Sequence, residues 1–558
     1  MSDEQQDPSA GVPDTVFVGG QVFRGTGSRP VATGVAVAGG RIVAVAPDSE
    51  VRALAGPATE VVDLAGGLLT PGFQDAHVHP VHAGTLLLQC DLQDAGGAEQ
   101  LVQRVAAYAR THPQLEWVTG GGWSMEAFPG GRPHRAALDA VVPDRPVYLT
   151  NRDGHGAWVN TAALRAAGIG RSTADPRDGR LERDADGEPT GLLHEGAATM
   201  VGRLLPPATE QDLRAGLLAA QSHLLSLGIT AWQDAIVGPY LGRPDVLATY
   251  LAADRAGELV VRVVGDLWWD RERGLEQLPE LLERRSSAGP GRFRPTTVKI
   301  MQDGIAENRT AAMTQPYRDA CGCSTGGAGL SFVDPELLRR AVTALDAEGF
   351  QVHLHTLGDR AVREALDAVE ATRAANGPRD ARHHLAHLQV VHPDDVPRFA
   401  ALDVTATVQP LWAVHEPQMD ELTIPFLGEG LAERQYPFAD LHAAGARLAA
   451  GSDWAVSSPD PWAGLHVAVT RTPPDADGPV EPFLPSQRLS LGTALTAYTL
   501  GSARVNSLDR STGTVEVGKD ADLVVHDRDP FSAPVEQIAR TRVLRTYVAG
   551  RLVHEAQP

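Results

Sequence analysis

The feature that most constrains the fold is an alternation of short apolar runs with longer helical stretches through the middle of the chain. Eight runs have the β-branched and apolar residues typical of buried strands. They are 68–80, 228–235, 258–269, 297–304, 350–358, 383–391, 404–410 and 447–454. Stretches between them, such as 335–349 and 358–377, have helical periodicity and end in glycine. Eight strands, each followed by a helix or loop, predict an α/β fold of the (β/α)8 TIM barrel type.

A doubly wound open sheet is the alternative arrangement of such a pattern. It is disfavoured because no glycine-rich dinucleotide fingerprint follows any of the eight runs. The gap between the first and second runs, about 150 residues, is far too long for one loop. We therefore expect an inserted subdomain, about 81–225, over the catalytic face, where barrel loops supply specificity.

The two ends of the chain have β character as well. Apolar runs separated by glycine turns lie at 15–23, 34–47, 59–72, 513–527 and 542–555. Each end alone offers too few strands for a stable two-layer core. We expect both termini, 1–70 and 512–558, to build one small β-sandwich domain beside a barrel domain at 71–511. Two separate β appendages are the alternative.

Composition excludes several classes of function. The 558 residues have a formal net charge of −21, which argues against a nucleic-acid partner because binding phosphates needs a basic surface. No apolar stretch reaches the roughly 18 residues of a membrane span, and residues 1–14 are acidic and polar, unlike a signal peptide. Cys90, Cys321 and Cys323 cannot form a disulfide framework. These features favour a cytoplasmic protein, and the Cys321–Cys323 pair has no assigned role.

The first candidate for chemistry is the pair His77 and His79. Residues i and i+2 of a strand project to the same side, so both imidazoles can bind one metal ion. The bare pattern is weak, because His353 and His355 form a second pair of the same kind. Position strengthens the first pair, since it ends the first predicted barrel strand, where barrel enzymes place catalytic groups.

Other candidates also fall on predicted barrel strands. His355 and Asp453 close the fifth and eighth strands, His387 lies in the sixth, and Lys299 lies inside the apolar fourth. Each has a structural explanation: a core lysine paired with Asp303, a satisfied core histidine or an N-cap aspartate. A lone buried lysine is costly, however. Taken together with the first histidine pair, these residues indicate an active site.

Several longer motifs match a known family. They are LLTPGFQDAHVHP (68–80), 138–164, KIMQDGIAENRTAAMTQPY (299–317), HTLGDRAV (355–362), RHHLAHLQ (382–389), GSDWAVSSPDPW (451–462) and GTVEVGKDADLVV (513–525). With them the chain resembles the amidohydrolase superfamily, in the family 3 branch that includes N-substituted formamide deformylases. The resemblance covers nearly the whole chain, and it implies a barrel, a sandwich built from both termini and a homodimer.

The resemblance also implies a metal site at matching positions. It makes His77 and His79 ligands of the more buried metal, and His355 and His387 ligands of a second metal. It also makes Lys299 a carboxylated lysine that bridges the two metals, and Asp453 the catalytic aspartate. Burial supplies the neutral amine that captures CO₂. Our hypothesis is two Zn²⁺ ions with carboxylated Lys299. The alternative is one Zn²⁺, with unmodified Lys299 as an ion-pair partner.

These roles predict an enzyme that hydrolyses a linear amide C–N bond of a small molecule, an N-substituted formamide or similar amide. Metal-activated hydroxide attacks the carbonyl carbon, and Asp453 takes the proton of the water and returns it to the departing nitrogen. A hydrolase of cyclic amides or N-acyl amino acids is an alternative, and a cationic residue positioned for a substrate carboxylate would favour it. A non-catalytic regulatory protein with a structural metal site is another.

Candidates for substrate contact come from the insertion and the later loops. His155 could donate to the substrate or to the tetrahedral oxyanion, or it could tie the insertion down. Arg309 could reach the pocket or lie on the surface. Trp123 and Trp454 are candidates for an aromatic wall, although core packing is the commoner fate of tryptophan. His82 could line the entrance.

Overall fold

A parallel barrel forms the centre of the protein. The computed structural model describes residues 5–6, 11–27, 29–93, 95–240, 243–476 and 478–557, so most of the N-terminal segment 1–10 lies outside the described residues. In the described part, eight parallel strands lie side by side in chain order. They are Phe73–Val78, Ile229–Val237, Arg262–Trp268, Phe293–Met301, Gln351–Thr356, His384–His387, Thr405–Val408 and Arg447–Ala450. Each predicted run overlaps one of them, although the second and fourth strands, Ile229–Val237 and Phe293–Met301, extend beyond their runs, and this confirms the barrel.

The eighth strand meets the first at the carboxyl ends of the two strands, which closes the barrel there. The N–H of Asp453 donates to the carbonyl of His77 at 2.8 Å, and the N–H of His79 donates to that of Trp454 at 2.8 Å. The hydroxyl of Ser452 donates to Asp75 at 2.6 Å. These contacts bring the loop after the last strand against the first strand.

Helices cover the outside of the barrel. They are Pro80–Leu87, Glu210–Ser226, Leu247–Arg255, Leu278–Ser286, Pro335–Ala347, Asp359–Asn376, Val396–Ala401, Phe438–Ala443, Pro461–Thr470, Leu491–Thr496 and Ser502–Val505. The helix Pro335–Ala347 begins where the Asp334 side chain accepts from the N–H groups of its first turn. Its buried Leu338 and Leu345 join the large apolar cluster of the barrel. Among the described residues, none of the helices has the length and apolar character needed to cross a bilayer.

The segment between the first and second barrel strands has its own sheet. In spatial order its strands are Cys90–Asp91, Val118–Trp123, Val147–Asn151, Gly156–Val159, Pro189–Glu195 and Gly179–Arg183. Its helices are Ala98–Thr111, Arg135–Asp139, Thr161–Ala166 and Gly196–Gly202. One apolar cluster joins insertion residues such as Trp158 to Ile305 and Leu357, which follow the fourth and fifth barrel strands. The insertion therefore packs on the catalytic face of the barrel.

Strands from both termini meet in one sheet. It consists of Arg551–Glu555, Val543–Val548, Leu523–His526, Leu68–Pro71, Gln21–Val22 and Val31–Ala32. A second sheet has the strands Gln5–Gln6, Arg41–Ala46, Gly34–Ala38, Thr15–Val18 and Glu60–Asp63, and a helix, Asp48–Ala53, lies beside it. One apolar cluster contains residues of both sheets. Within it the rings of Phe17 and Tyr547 lie edge to face, 5.2 Å apart.

Candidate metal centre

A cavity at the carboxyl ends of the barrel strands contains six side chains that the sequence indicated. They are His77, His79, Lys299, His355, His387 and Asp453. They come from the first, fourth, fifth, sixth and eighth strands or the residues directly after them. Parallel strands end at one rim of a barrel, so residues far apart in sequence meet there.

The histidines and the aspartate form a compact cluster. One ligand atom each of His77, His387 and Asp453 lies within 4.8 Å of the others. Oδ1 of Asp453 is 2.9 Å from Nε2 of His79 and 3.4 Å from Nε2 of His77. The rings of His355 and His387 are 4.5 Å apart. The cavity floor is thus a group of nitrogen and oxygen atoms with little space between them.

Several of these buried atoms have no hydrogen-bond partner among the described residues. They are Nδ1 of His79, Nδ1 of His355 and both ring nitrogens of His387. Leaving a buried polar atom unpaired is costly, and such atoms call for a specific explanation. Imidazole nitrogens and a carboxylate oxygen are the ligands that Zn²⁺ and similar divalent cations take in proteins. The residues present therefore fit a divalent metal ion.

The electrostatics of the cluster agree with a ligand role. Burial, followed by the Lys299 charge, lowers the pKa of His77 to about 3. Burial also holds the pKa values of His355 and His387 well below the usual range. Burial alone would raise the pKa of Asp453, but the imidazoles of His77 and His79 hold it well below its usual range. Neutral imidazoles and an ionised carboxylate are the forms that bind metals.

The backbone is strained at two residues of the cluster. His387 has a φ of 78° and Asp453 a φ of 56°. A non-glycine residue in this left-handed region costs on the order of 1–3 kcal/mol and persists only where its surroundings hold it there. Such residues concentrate at functional sites, so the strain is a second observation that marks this cluster.

Lys299 is buried beneath the histidines. It is 2% exposed, and its Nζ lies 3.5 Å from both ring nitrogens of His77 and 3.2 Å from Nε2 of His353. Burial lowers the pKa of Lys299 to about 7. Asp303, considered from the sequence as its partner, instead accepts hydrogen bonds from three backbone N–H groups of neighbouring loops. Lys299 therefore lies among imidazoles, without the contact to Asp303 that the structural explanation required.

Sequence reasoning missed two residues beneath Lys299. Nδ1 of His353 lies 2.6 Å from Oδ2 of Asp266, and both residues are fully buried. His353 had a signal, because it faces the same side of its strand as His355 and belongs to the second histidine pair. Asp266 had a weaker signal as a single acid inside the apolar strand Arg262–Trp268.

His155 lines the same cavity and is held by a glutamate of the insertion. Its Nδ1 is 3.0 Å from both carboxylate oxygens of Glu195. Burial alone would lower the pKa of His155, but Glu195 raises it to about 9. The ring is 5.5 Å from that of His355. Glu195, with a strained φ of 52°, had no sequence signal, since it ends an ordinary strand of the insertion.

Two further candidates also lie at cavities. His82 lines the catalytic cavity. Trp454 lines an adjoining cavity of about 430 Å³, which shares Arg152 and Asp153 with the catalytic one. Trp412, which also lines the adjoining cavity, stacks on His387 with the ring centres 5.1 Å apart. The cluster of histidines and Asp453 therefore lies beside a cavity with a partly aromatic wall.

The structure does not place Trp123 or Arg309 at the catalytic cavity. The Trp123 ring is fully buried in the core of the insertion, where its Nε1 donates to the carbonyl of Leu149 at 2.9 Å. The guanidinium of Arg309 lies over the Phe426 ring, 4.8 Å from its centre. Both side chains are satisfied by protein contacts in these positions.

Comparisons with known proteins agree with this architecture. A family model described as "Amidohydrolase family" matches residues 60–554. The chain is 32% identical to Protein LONG AFTER FAR-RED 3 of Arabidopsis thaliana, over 98% of this chain and 93% of that protein. It is 28% identical to the N-substituted formamide deformylase of Arthrobacter pascens, over 97% and 98%.

A solved structure resembles almost the whole fold. It is that of an uncharacterized metal-dependent hydrolase from Pyrococcus furiosus, with a TM-score of 0.69 and 26% identity, covering 93% of this chain and all of that one. The likeness is one of overall fold. Together with the matched family and the motifs around His77, His355 and Asp453, it shows that the chain belongs to the amidohydrolase family of metal-dependent hydrolases, as its sequence predicted.

Proposed function

We propose that this protein hydrolyses a linear amide C–N bond, in an N-substituted formamide or a similar small amide. The observation that carries the proposal is the cluster of buried imidazoles around the Asp453 carboxylate at the carboxyl end of the barrel, in which several ring nitrogens have no hydrogen-bond partner among the described residues. Similarity to a formamide deformylase over nearly the full length of both chains supports the substrate class. The adjoining cavity offers space for the amine portion of such a substrate.

The metal ions in this proposal are Zn²⁺, held by His77, His79, His355, His387 and Asp453. When bound, such a metal lowers the pKa of a water molecule and polarises the carbonyl oxygen of the substrate. Lys299 has the burial and the lowered pKa that give a neutral amine. Its Nζ can add to CO₂ with loss of one proton, and the resulting carbamate supplies anionic oxygen ligands.

Asp453 moves the proton in this reaction. Its ionised carboxylate lies beside the histidine cluster, so it accepts a proton from the attacking water. The same carboxyl group then donates that proton to the departing nitrogen, because an amine leaves poorly unless it is protonated.

His155 stabilises the charge that develops on the substrate oxygen. Glu195 accepts the hydrogen of Nδ1 and favours the protonated ring. A cationic donor that is fixed before the reaction contributes more than a solvated one. Thr310 donates to Glu195 at 3.0 Å, so the glutamate is itself held in place.

We also propose that the two terminal sheets act as one β-sandwich domain, with 1–70 and 512–558 as its bounds and 71–511 as the barrel domain. Pairing of Leu523–His526 with Leu68–Pro71 and the shared apolar cluster support it. Neither end could bury that cluster alone.

Metal analysis and amine release test the proposed function together. Purified protein is assayed with N-benzylformamide before chelation, after chelation and after Zn²⁺ is restored. We expect bound metal, loss of turnover on chelation, and its return with Zn²⁺. His77→Asn should lose metal and turnover, whereas His442→Asn, which changes an exposed histidine, should keep both. Absence of metal and of turnover on any linear amide would contradict the proposal and favour a non-catalytic protein.

A further inference from the structure

Not every charged side chain at the catalytic cavity is in contact with a side chain of opposite charge. Two arginines line it, Arg152 and Arg243, together with His155, which Glu195 holds, and the carboxylates Asp153 and Asp453. The Arg152 guanidinium contacts both the insertion and a barrel loop. It lies 3.6 Å from the carboxylate of Glu126 and 3.8 Å from that of Glu416, and it donates to Gln418 at 3.0 Å. Lys299 lies beneath the histidines.

Arg243 has no such partner. Among the residues that the structure describes, no carboxylate forms an ion pair with its guanidinium, and its buried Nε lacks a hydrogen-bond partner. Asp453 acts on it only through space, and that carboxylate already faces His77 and His79. Arg243 is therefore a cation at the catalytic cavity that no carboxylate contacts in the described part of the chain.

The cavity wall makes room for this guanidinium. Gly154, which precedes His155, has a φ of 75°, and a Cβ placed on it would come within 3.2 Å of Nη2 of Arg243. A larger residue at position 154 would have to adopt an unfavourable backbone conformation, and its side chain would displace the guanidinium of Arg243. Arg243 thus lies beside the loop that carries the proposed oxyanion donor.

We propose that Arg243 binds a carboxylate on the substrate, which makes the substrate an N-formyl or N-acyl amino acid. A partly buried charge without a partner can gain from binding an anion, and the planar fork of a guanidinium matches a carboxylate through two parallel hydrogen bonds. The inference rests on the proposed amide hydrolysis and narrows its substrate. It also supplies the cationic residue that would favour the N-acyl amino acid alternative.

The adjoining cavity sets the orientation of such a substrate. Its lining has one arginine against four carboxylates, so its net charge disfavours a substrate carboxylate, and it also has apolar and aromatic side chains such as Met419 and Trp412. The charged residues are Arg152, Asp91, Asp153, Glu307 and Glu416. The carboxylate therefore lies at Arg243, the scissile amide at the histidine cluster, and an apolar amino-acid side chain in the space of about 430 Å³.

Matched substrates test the inference on the metal-loaded protein. Kinetics are compared for both enantiomers of N-formylphenylalanine and for N-formylphenylalaninol, which replaces the carboxylate with an alcohol. We expect kcat/KM to be about 10- to 100-fold higher for one enantiomer of the acid than for the alcohol. Arg243→Gln should remove that advantage, mainly through KM, and leave the alcohol within about threefold of wild type. Arg243→Lys should restore part of it, because it keeps the charge but loses the fork.

Binding separates this inference from the proposed function. The uncleavable isostere of N-acetylphenylalanine, 2-benzyl-4-oxopentanoate, has a methylene in place of the amide nitrogen, and this acid and its methyl ester are titrated by calorimetry. Tighter binding of the acid to wild type than to Arg243→Gln supports the inference even if no amide is hydrolysed. Arg171→Gln, which changes an exposed arginine, serves as the control. Equal binding of acid and ester, or equal losses for both substrates in Arg243→Gln, would overturn the inference while leaving amide hydrolysis standing.

Discussion

The carboxylate of Asp266 lies 2.6 Å from Nδ1 of His353, directly beneath the site. The same ring places Nε2 3.2 Å from Nζ of Lys299. Three barrel strands thus contribute a fully buried chain of polar groups that ends at the lysine proposed to be carboxylated. A chain of this kind orients its last member only when each hydrogen bond in it is satisfied.

Replacing Asp266 by Ala is expected to lower the metal content. The change removes the hydrogen-bond partner of His353 Nδ1, so the ring can turn away from Lys299. Loss of an outer partner of this kind typically costs about 10- to 100-fold in metal affinity or activity. Competition with a chromogenic chelator measures the affinity. Asp234→Asn changes another buried acid, which accepts from Tyr250 at 2.7 Å, and it should keep wild-type affinity. Unchanged affinity in Asp266→Ala would contradict a positioning role.

Asp453→Asn should abolish most turnover while retaining bound metal. The amide keeps the size of the side chain and one oxygen, but it cannot accept the proton of water and deliver it to the leaving nitrogen. General acid–base catalysis typically contributes about 10²- to 10⁴-fold, so kcat should fall by that factor. Steady-state rates and metal analysis on the same preparation check both statements. A near-normal kcat in Asp453→Asn would show that Asp453 does not transfer the proton.

Glu195→Gln should shift the alkaline limb of the pH–rate profile. Glu195 raises the pKa of His155 to about 9, so the protonated donor persists until the pH approaches that value. Without the carboxylate the pKa falls, and activity should be lost at lower pH, by about one unit or more. The profile of kcat from pH 6 to 10 is the measurement. As a control, Glu188→Gln changes a partly exposed glutamate of the insertion, and its pH–rate profile should keep the wild-type alkaline limb. If the alkaline limb of Glu195→Gln is not shifted, His155 is not the cationic donor.

His526 should make the junction between barrel and terminal sheet sensitive to acid. It is fully buried, Trp462 of the barrel donates to its Nδ1 at 3.3 Å, and Thr70 lies 3.0 Å from its Nε2. Burial lowers its pKa to about 3. Below the ordinary value near 6.5 the unfolded chain therefore binds a proton that the native protein does not, and the free energy of unfolding falls as the pH falls.

The contribution of His526 to the slope is expected to approach about 1.4 kcal/mol per pH unit as the pH falls from 6.5 to 5. Melting temperatures of wild type and His526→Gln over that range give the comparison, and the variant should show the shallower dependence. His442→Gln should keep the wild-type slope. Equal slopes in wild type and His526→Gln would show that His526 is not the titrating group.

Much of the architecture and half of the site could be predicted from local sequence. The eight barrel strands appear as apolar runs because strands buried on both faces need apolar residues throughout. His77 and His79 are visible because spacing by two on a strand sets both side chains on one side. Asp453 and His387 are visible through the longer motifs around them.

Other features depend on distant parts of the chain. Trp123 could not be assigned from sequence, because a cavity wall and a protein core both suit a tryptophan, and its place in the insertion core is set by neighbours such as Trp158. Glu195 and Arg243 occupy an ordinary strand end and an ordinary loop. Only the docking of the insertion on the barrel brings Glu195 to His155.

The sequence by itself therefore determined the element pattern, the family and the residue types able to bind metal, since periodicity and short motifs are local properties. The tertiary structure decided which of those side chains meet. Strand order and barrel closure place His77 beside Asp453, and the packing of the insertion leaves Arg243 at the catalytic cavity without a carboxylate partner in the described chain. Contacts between residues far apart in sequence arise from register and packing, which no local pattern encodes.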